Sequence, residues 1–199
     1  AYWVSEKIVQ KFEQNDNLAH HVSVRGGMTT ADNERFVRLW FEINYINKNK
    51  RYWANYNKGG EYRKWYGNQN WVVNWSNDGQ LIKSTGRASV RSEELYFKEM
   101  IGWTDVTSYS QLGVRYYPQG FIFDASGPSV FTESDNNILF ILGYLASNIS
   151  SIILGALNPT MHVQAGNIAS LPYLKNININ ELTSIVEKLV YISKRNWDA

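Results

Sequence analysis

Polar and apolar positions divide the chain into stretches of different rhythm. Near the N-terminus Val4, Ile8, Val9 and Phe12 recur at the spacing that puts side chains on one face of a helix over residues 3–14, and the polar run Gln14-Asn15-Asp16-Asn17 ends it. A short strand near residues 20–25 then meets Gly26-Gly27, a flexible turn followed by Thr29, Thr30, Asp32 and Asn33, whose side chains bond to nearby backbone. The β-branched and aromatic run Phe36–Ile43 reads as a strand, as does Val72–Trp75, which Asn77-Asp78-Gly79 closes with a turn. From Met100 to Phe131 the apolar runs are short (Ile101–Trp103, Val114–Tyr117, Phe121–Phe123, Val130-Phe131) and separated by Gly, Pro and Ser, which is sheet spacing. The last third turns helical. Residues 136–157 form either one buried helix or two short ones broken at Ser147-Asn148. Residues 180–195 form another, with an apolar stripe of Leu182, Ile185, Val186, Leu189, Val190 and Ile192. With no internal repeat and no low-complexity linker, the pattern predicts one α+β domain over residues 1–199: a mixed or mainly antiparallel sheet with segregated helices and a helical C-terminal third.

Composition narrows the function more than the fold. A chain of 199 residues with 44% hydrophobic content can bury one good core, and a net charge of only +2 means that any anion-binding role must come from local clustering. The absence of cysteine excludes disulfides, thiolate zinc sites and cysteine nucleophiles, and fits an intracellular, cytoplasmic setting. Residue 1 is Ala and runs straight into a helix-like segment without a basic-then-apolar leader, so the sequence reads as a piece of a longer polypeptide. The uncharged stretch Ile138–Leu157 is long enough to span a bilayer. Ser147, Asn148, Ser150 and Ser151 at its centre, and the lack of a flanking Lys/Arg cluster, argue instead for burial, so no membrane partner is expected.

The local cluster exists between Asn47 and Trp75. Lys48, Lys50, Arg51, Lys58, Arg63 and Lys64 are interleaved with Tyr52, Trp53, Tyr56, Tyr62, Trp65, Tyr66, Trp71 and Trp75, and Glu61 is the one acid among them. Cations neutralise phosphates and aromatic rings stack on bases, so the mixture suits a nucleic acid. A twisted hairpin with its rings in the core and its cations at the surface fits equally well.

Enzyme constellations fail at the first test. His20 and His21, adjacent in a strand-like segment, would face opposite sides, which leaves no metal pair, and neither G-x-x-x-x-G-K-[ST] nor G-x-S-x-G occurs. Glu93-Glu94 reads as the exposed first turn of a helix or a cap. Asn158-Pro159-Thr160 begins like the Asn-Pro-Pro-aromatic turn of adenine methyltransferases, but Thr160 and Met161 replace the second proline and the aromatic platform. No catalytic residue, metal site or cofactor site is assigned to this chain.

Three segments carry a more specific signal: residues 27–36 (GMTTADNERF), 56–68 (YNKGGEYRKWYGN) and 114–123 (VRYYPQGFIF). In this order they closely resemble the C-terminal half of large adenine-specific DNA methyltransferases, those of BREX phage defence and the related fused type II restriction-modification enzymes. Leu157–Thr160 followed by Gly166–Pro172 resembles the close of their target-recognition region. One departure is Ala31, where the family commonly has Gly; an alanine is less free to adopt positive φ. The resemblance implies a DNA target-recognition domain whose partners are duplex DNA and an N-terminal methyltransferase domain of the same polypeptide. The catalytic motif and the S-adenosylmethionine loop would lie upstream of Ala1, and whether the parent also cuts DNA stays open.

Side-chain chemistry then suggests DNA-binding roles. Lys58, Arg63 and Lys64 flank the Gly59-Gly60 turn and are candidates for phosphate or base-edge contact. Asn68 is either an amide reader of adenine or a turn residue. Thr29, Thr30 and Asn33 are candidates for backbone-phosphate contact, the alternative being that Asp32 or Asn33 simply caps a turn, and Arg87 and Arg91 sit in a Ser/Gly-rich loop that would order on DNA. Two other classes remain as alternatives: a carbohydrate-binding aromatic platform and a protein-interaction module.

Overall fold

The computed structural model describes residues 6–43, 52–106, 111–133, 137–158, 160–174 and 178–199, without the side chains of residues 7–9 and 11. Val4, Lys48, Lys50, Arg51 and Pro159, and the side chains of Ile8 and Val9, therefore lie outside the described residues.

Among the described residues, two four-stranded sheets organise the chain. The first is antiparallel throughout, in the order β1 (Val22–Arg25), β8 (Ser129–Thr132), β5 (Met100–Gly102), β6 (Arg115–Tyr117). The second runs β2 (Val37–Leu39), β4 (Trp71–Asn74), β3 (Trp53–Asn57), β7 (Phe121–Phe123), with β3 and β7 parallel and the other pairs antiparallel. The expected mixed sheet content is present, divided between two sheets.

Alternation within the first sheet explains its short apolar triplets. On β8 Val130 enters a core beneath the helices, while Phe131 enters a second core shared with the other sheet; Ile101 and Met100 on β5 divide in the same way. A sheet covered on both faces has no polar side to write into its sequence, so its strands read as unbroken apolar runs.

The sheets meet where Met28 bridges Asp124, with Met28 N–H donating to the Phe123 carbonyl at 3.0 Å and Ala125 N–H to the Met28 carbonyl at 2.9 Å. Gly27 permits that approach. A Cβ there would stand 1.9 Å from the Phe123 carbonyl oxygen, so the glycine pair read as a flexible turn is required here for close packing. Gly27→Ala is expected to cost about 3 kcal/mol through this backbone clash, whereas Gly26→Ala, whose Cβ meets nothing within 4 Å, should be close to neutral. Urea denaturation of both variants checks the difference.

Helices occupy the ends of the chain, with α1 at Glu6–Gln14. The expected strand over Phe36–Ile43 is shorter than its composition suggests. Asp32 accepts from Arg35 N–H and starts a helical turn, α2 (Asn33–Phe36), and the Glu42 carboxylate accepts from Leu39 N–H at 2.7 Å, curling Trp40–Glu42 into a 3-10 turn. Side-chain caps outcompete the ladder at both ends. A further short helix, α3 (Gln80–Lys83), follows the turn at Asn77–Gly79, all three of which have positive φ. Glu93 and Glu94 open a 3-10 turn, and Glu93 pairs with Lys83 at 2.5 Å.

In the C-terminal third the break falls at Ser147. It ends α4 (Ile138–Ala146) and caps α5 (Asn148–Leu157) by accepting from Ser150 N–H, and the two helices bend by 66°. Phe140–Ala146 are buried, and among the described residues no single helix is long and apolar enough to cross a membrane. After the short α6 (Ala165–Ala169), α7 (Ile179–Trp197) lies against α4, its Val186 and Leu182 packing over Gly143. The predicted stripe of α7 is narrower than the sequence implied: Leu182, Val186 and Val190 meet the core, while Ile185 and Ile192 are exposed. One helix resting on one surface buries a single row, and residues a step to the side of that row stay outside.

Candidate nucleic-acid interface

The loop from Lys58 to Asn70 joins β3 to β4 and crosses to the edge of the first sheet. Trp65, held at φ 77°, bridges Arg115 there: its N–H donates to the Val114 carbonyl at 3.0 Å, and Tyr116 N–H donates back to the Trp65 carbonyl at 2.9 Å. Gly59 and Gly60 both have positive φ, which suits them to the corner where the loop leaves β3.

Beneath this loop lies Arg115, fully buried. Its guanidinium donates to the carbonyls of Glu61 and Gly113, to Thr104 Oγ1 and to the Tyr117 hydroxyl, at 3.2–3.4 Å. Thr104 Oγ1 in turn donates to the Gly60 carbonyl at 2.7 Å. A forked donor is suited to gathering several carbonyls at once, and here it ties the loop to the sheet. Sequence reading passed over Arg115 because an arginine between apolar residues on a strand looks like a surface residue.

The predicted contact residues divide into two groups. Lys58 stands at the seam between the sheets, 3.4 Å from the Asp124 carboxylate, which also accepts from the Tyr56 hydroxyl at 2.5 Å and from Ser126 Oγ at 2.6 Å. Burial, then the Asp124 charge, holds the Tyr56 hydroxyl well above its usual range. On the other side of Asp124, Met28 leads into Thr29, whose backbone exchanges hydrogen bonds with Ser89 at 2.9 and 3.0 Å. Ser89 Oγ accepts from Arg91 Nε at 2.9 Å, and the side chains of Arg87, Arg91, Thr29 and Asn33 are exposed. Lys58, Thr29, Arg87 and Arg91 thus belong to one connected stretch of loops.

Thr30 lies inward of that surface. It is buried, donates to Asn33 Oδ1 at 2.8 Å and accepts from Asp32 N–H. Ala31 adopts φ 56°, so the alanine takes up the left-handed conformation that favours glycine.

Arg63, Lys64 and Asn68 are anchored elsewhere. Arg63 lies 4.8 Å from the ring centre of Trp197 on α7. Lys64 Nζ donates to the Ala146 carbonyl at 2.8 Å and to Gln111 Oε1 at 3.0 Å, placing a cation at the negative end of α4; partial burial lowers its pKa. Asn68, at φ 55°, donates to the Glu61 carbonyl at 2.8 Å and so closes the loop as a turn residue. The Asn158 carboxamide is engaged within its own turn, by Thr160 and the His162 carbonyl. Among the described residues no group of three His, Cys, Asp or Glu could hold a metal ion.

Comparison with known proteins brings one class forward, the adenine-specific methyltransferases. The whole chain aligns at 35% identity with adenine-specific methyltransferase PglX of Lacticaseibacillus casei (strain Zhang), over 18% of that protein's length. It aligns at 31% with adenine-specific methyltransferase BrxX of Escherichia coli O9:H4 (strain HS), over 16%. The chain therefore spans less than a fifth of the length of these curated relatives. No family model matches it.

Proposed function

We infer that residues 1–199 form the DNA target-recognition domain of an adenine-specific DNA methyltransferase serving phage defence or restriction-modification. The observation that carries this reading is the similarity, along the whole chain, to a small part of two adenine-specific methyltransferases. This chain contains the basic and aromatic loops described above but neither a glycine-rich cofactor loop nor an Asn-Pro-Pro-aromatic turn. In this reading Lys58, Thr29, Arg87 and Arg91 grip duplex phosphates, with Asn33 at their edge, and Arg63, Lys64 and Asn68 hold the neighbouring loop in shape as well as offering it to DNA. The methyltransferase domain of the same polypeptide supplies S-adenosylmethionine and the chemistry. The apolar side chains that α7 leaves exposed, Ile185, Tyr191 and Ile192, suit a contact with that domain.

The chain is expected to bind duplex DNA with strong salt dependence. Three or four phosphate contacts give a slope of log K against log salt of roughly −3 to −4, and Arg91→Ala should make it shallower by about one unit. Fluorescence anisotropy with a labelled mixed-sequence duplex reads both values, and a flat titration removes the electrostatic premise.

A further inference from the structure

We propose that the cleft between Trp40 and Trp197 binds a single unstacked nucleobase. This rests on the DNA-recognition reading and extends it to a site that none of the predicted contact residues lines. The cleft holds about 590 Å³, room for a nucleotide. Four carboxamide residues, Asn55, Gln69, Asn70 and Gln119, line it, and a carboxamide offers donors beside an acceptor, the pattern that pairs with a base edge and with adenine in particular. Trp40 supplies an exposed flat ring for stacking, and Trp197 forms part of the facing wall.

Three details favour a base over other flat or neutral ligands. Trp40 is 55% exposed, and its backbone is tied to the cleft by its N–H donating to the Asn70 carbonyl at 2.8 Å. Gln69 Oε1 accepts from the Tyr66 hydroxyl, whereas its Nε2 is buried with no acceptor among the described residues, so the cleft wall carries an unmet donor. Charge is arranged for a nucleotide as well. Among the described residues the lining carries no cation, and its one acid, Asp198, is paired with Lys194, so the interior suits an uncharged ring; the Arg63 guanidinium, 4.8 Å from the ring centre of Trp197, puts a cation beside the cleft wall for the phosphate of a bound nucleotide. A neutral sugar would use the ring and carboxamides but has no need of a cation beside the wall.

The test uses the 199-residue chain, a labelled hexadeoxyadenylate, a labelled duplex, and cellotetraose. The hexamer is expected to shift the indole N–H resonances of Trp40 and Trp197 in ¹H–¹⁵N spectra, and Trp40→Ala and Gln119→Ala, both at exposed positions, should each weaken hexamer binding about tenfold. The salt slope for duplex should be unchanged in both variants, while Arg91→Ala should alter the duplex slope and leave the indole shifts in place. If the variants bind hexamer as tightly as the native chain, or if cellotetraose rather than hexamer moves the two indoles, the cleft assignment is overturned. Duplex binding that persists in either case leaves the recognition reading standing on its own.

Discussion

Raising the pH past about 10 is expected to unfold the domain steeply, because three of its buried tyrosines have pKa values raised by burial. Tyr56, Tyr96 and Tyr144 are at most 6% exposed, and burial pushes each pKa well above the ordinary value of 10.0. Asp124 adds to the effect at Tyr56, and Glu93 and Glu94 add to it at Tyr96. A group whose folded pKa is raised gives stability that is complete below its unfolded pKa and is lost as pH rises toward the folded one. Above about pH 10 the unfolded chain releases these protons and the folded chain does not, so each tyrosine removes about 1.4 kcal/mol per pH unit. By about pH 11 the three together remove about 4 kcal/mol, a large share of the roughly 5–15 kcal/mol that holds a domain folded. Urea denaturation across this range should show a plateau and then a fall, and Tyr144→Phe should reduce the slope of the fall by about a quarter, because Tyr116, pushed up to about 12, adds to the other three. A flat profile to pH 11.5 would show that these hydroxyls ionise in the folded state.

Arg115→Met should be the most damaging single change in the loop region, with an expected cost of about 3 kcal/mol or more. Methionine fills most of the space but donates nothing, so the Glu61 and Gly113 carbonyls lose a charged donor in a place with little water. The loop from Lys58 to Asn70 would loosen along with the bridge between Trp65 and Arg115. Thermal denaturation gives the cost. Amide exchange at Trp65 and Tyr116, whose N–H groups form that bridge, shows where it falls. A variant as stable as the native chain with both amides still protected would reduce Arg115 to a space-filling residue.

Some of the site could be read before the fold. The glycines at 59 and 60 and the turn at Asn77–Gly79 follow from backbone preferences carried by a few neighbouring residues and appear where the sequence put them, while the break at Ser147 is one of the two helix readings the sequence left open. Ala31 shows the limit of that reasoning. Its left-handed φ runs against local preference and is held by contacts the sequence does not announce, among them the Thr30–Asn33 bond and the backbone pairing of Thr29 with Ser89.

Side-chain partners between distant segments were not legible. Lys64 sits in the sequence like any exposed cation, yet it meets a carbonyl 82 positions away at the end of α4. The cleft is likewise assembled from the turn at Trp40, strand β3, the end of the Lys58–Asn70 loop, the turn near Gln119 and the C-terminus of α7. None of these segments carries a motif for a ligand.

By itself the sequence determined the α+β class, the helical last third and the basic and aromatic loop, because periodicity, turn chemistry and composition act over a few residues at a time. The tertiary structure decided that the strands divide between two sheets, that Arg115 lies inside while Ile185 and Ile192 lie outside, and that Arg63 and Lys64 serve the helices beside them. Those outcomes depend on which surfaces meet. Burial belongs to the pair of elements that touch, and no single segment encodes it.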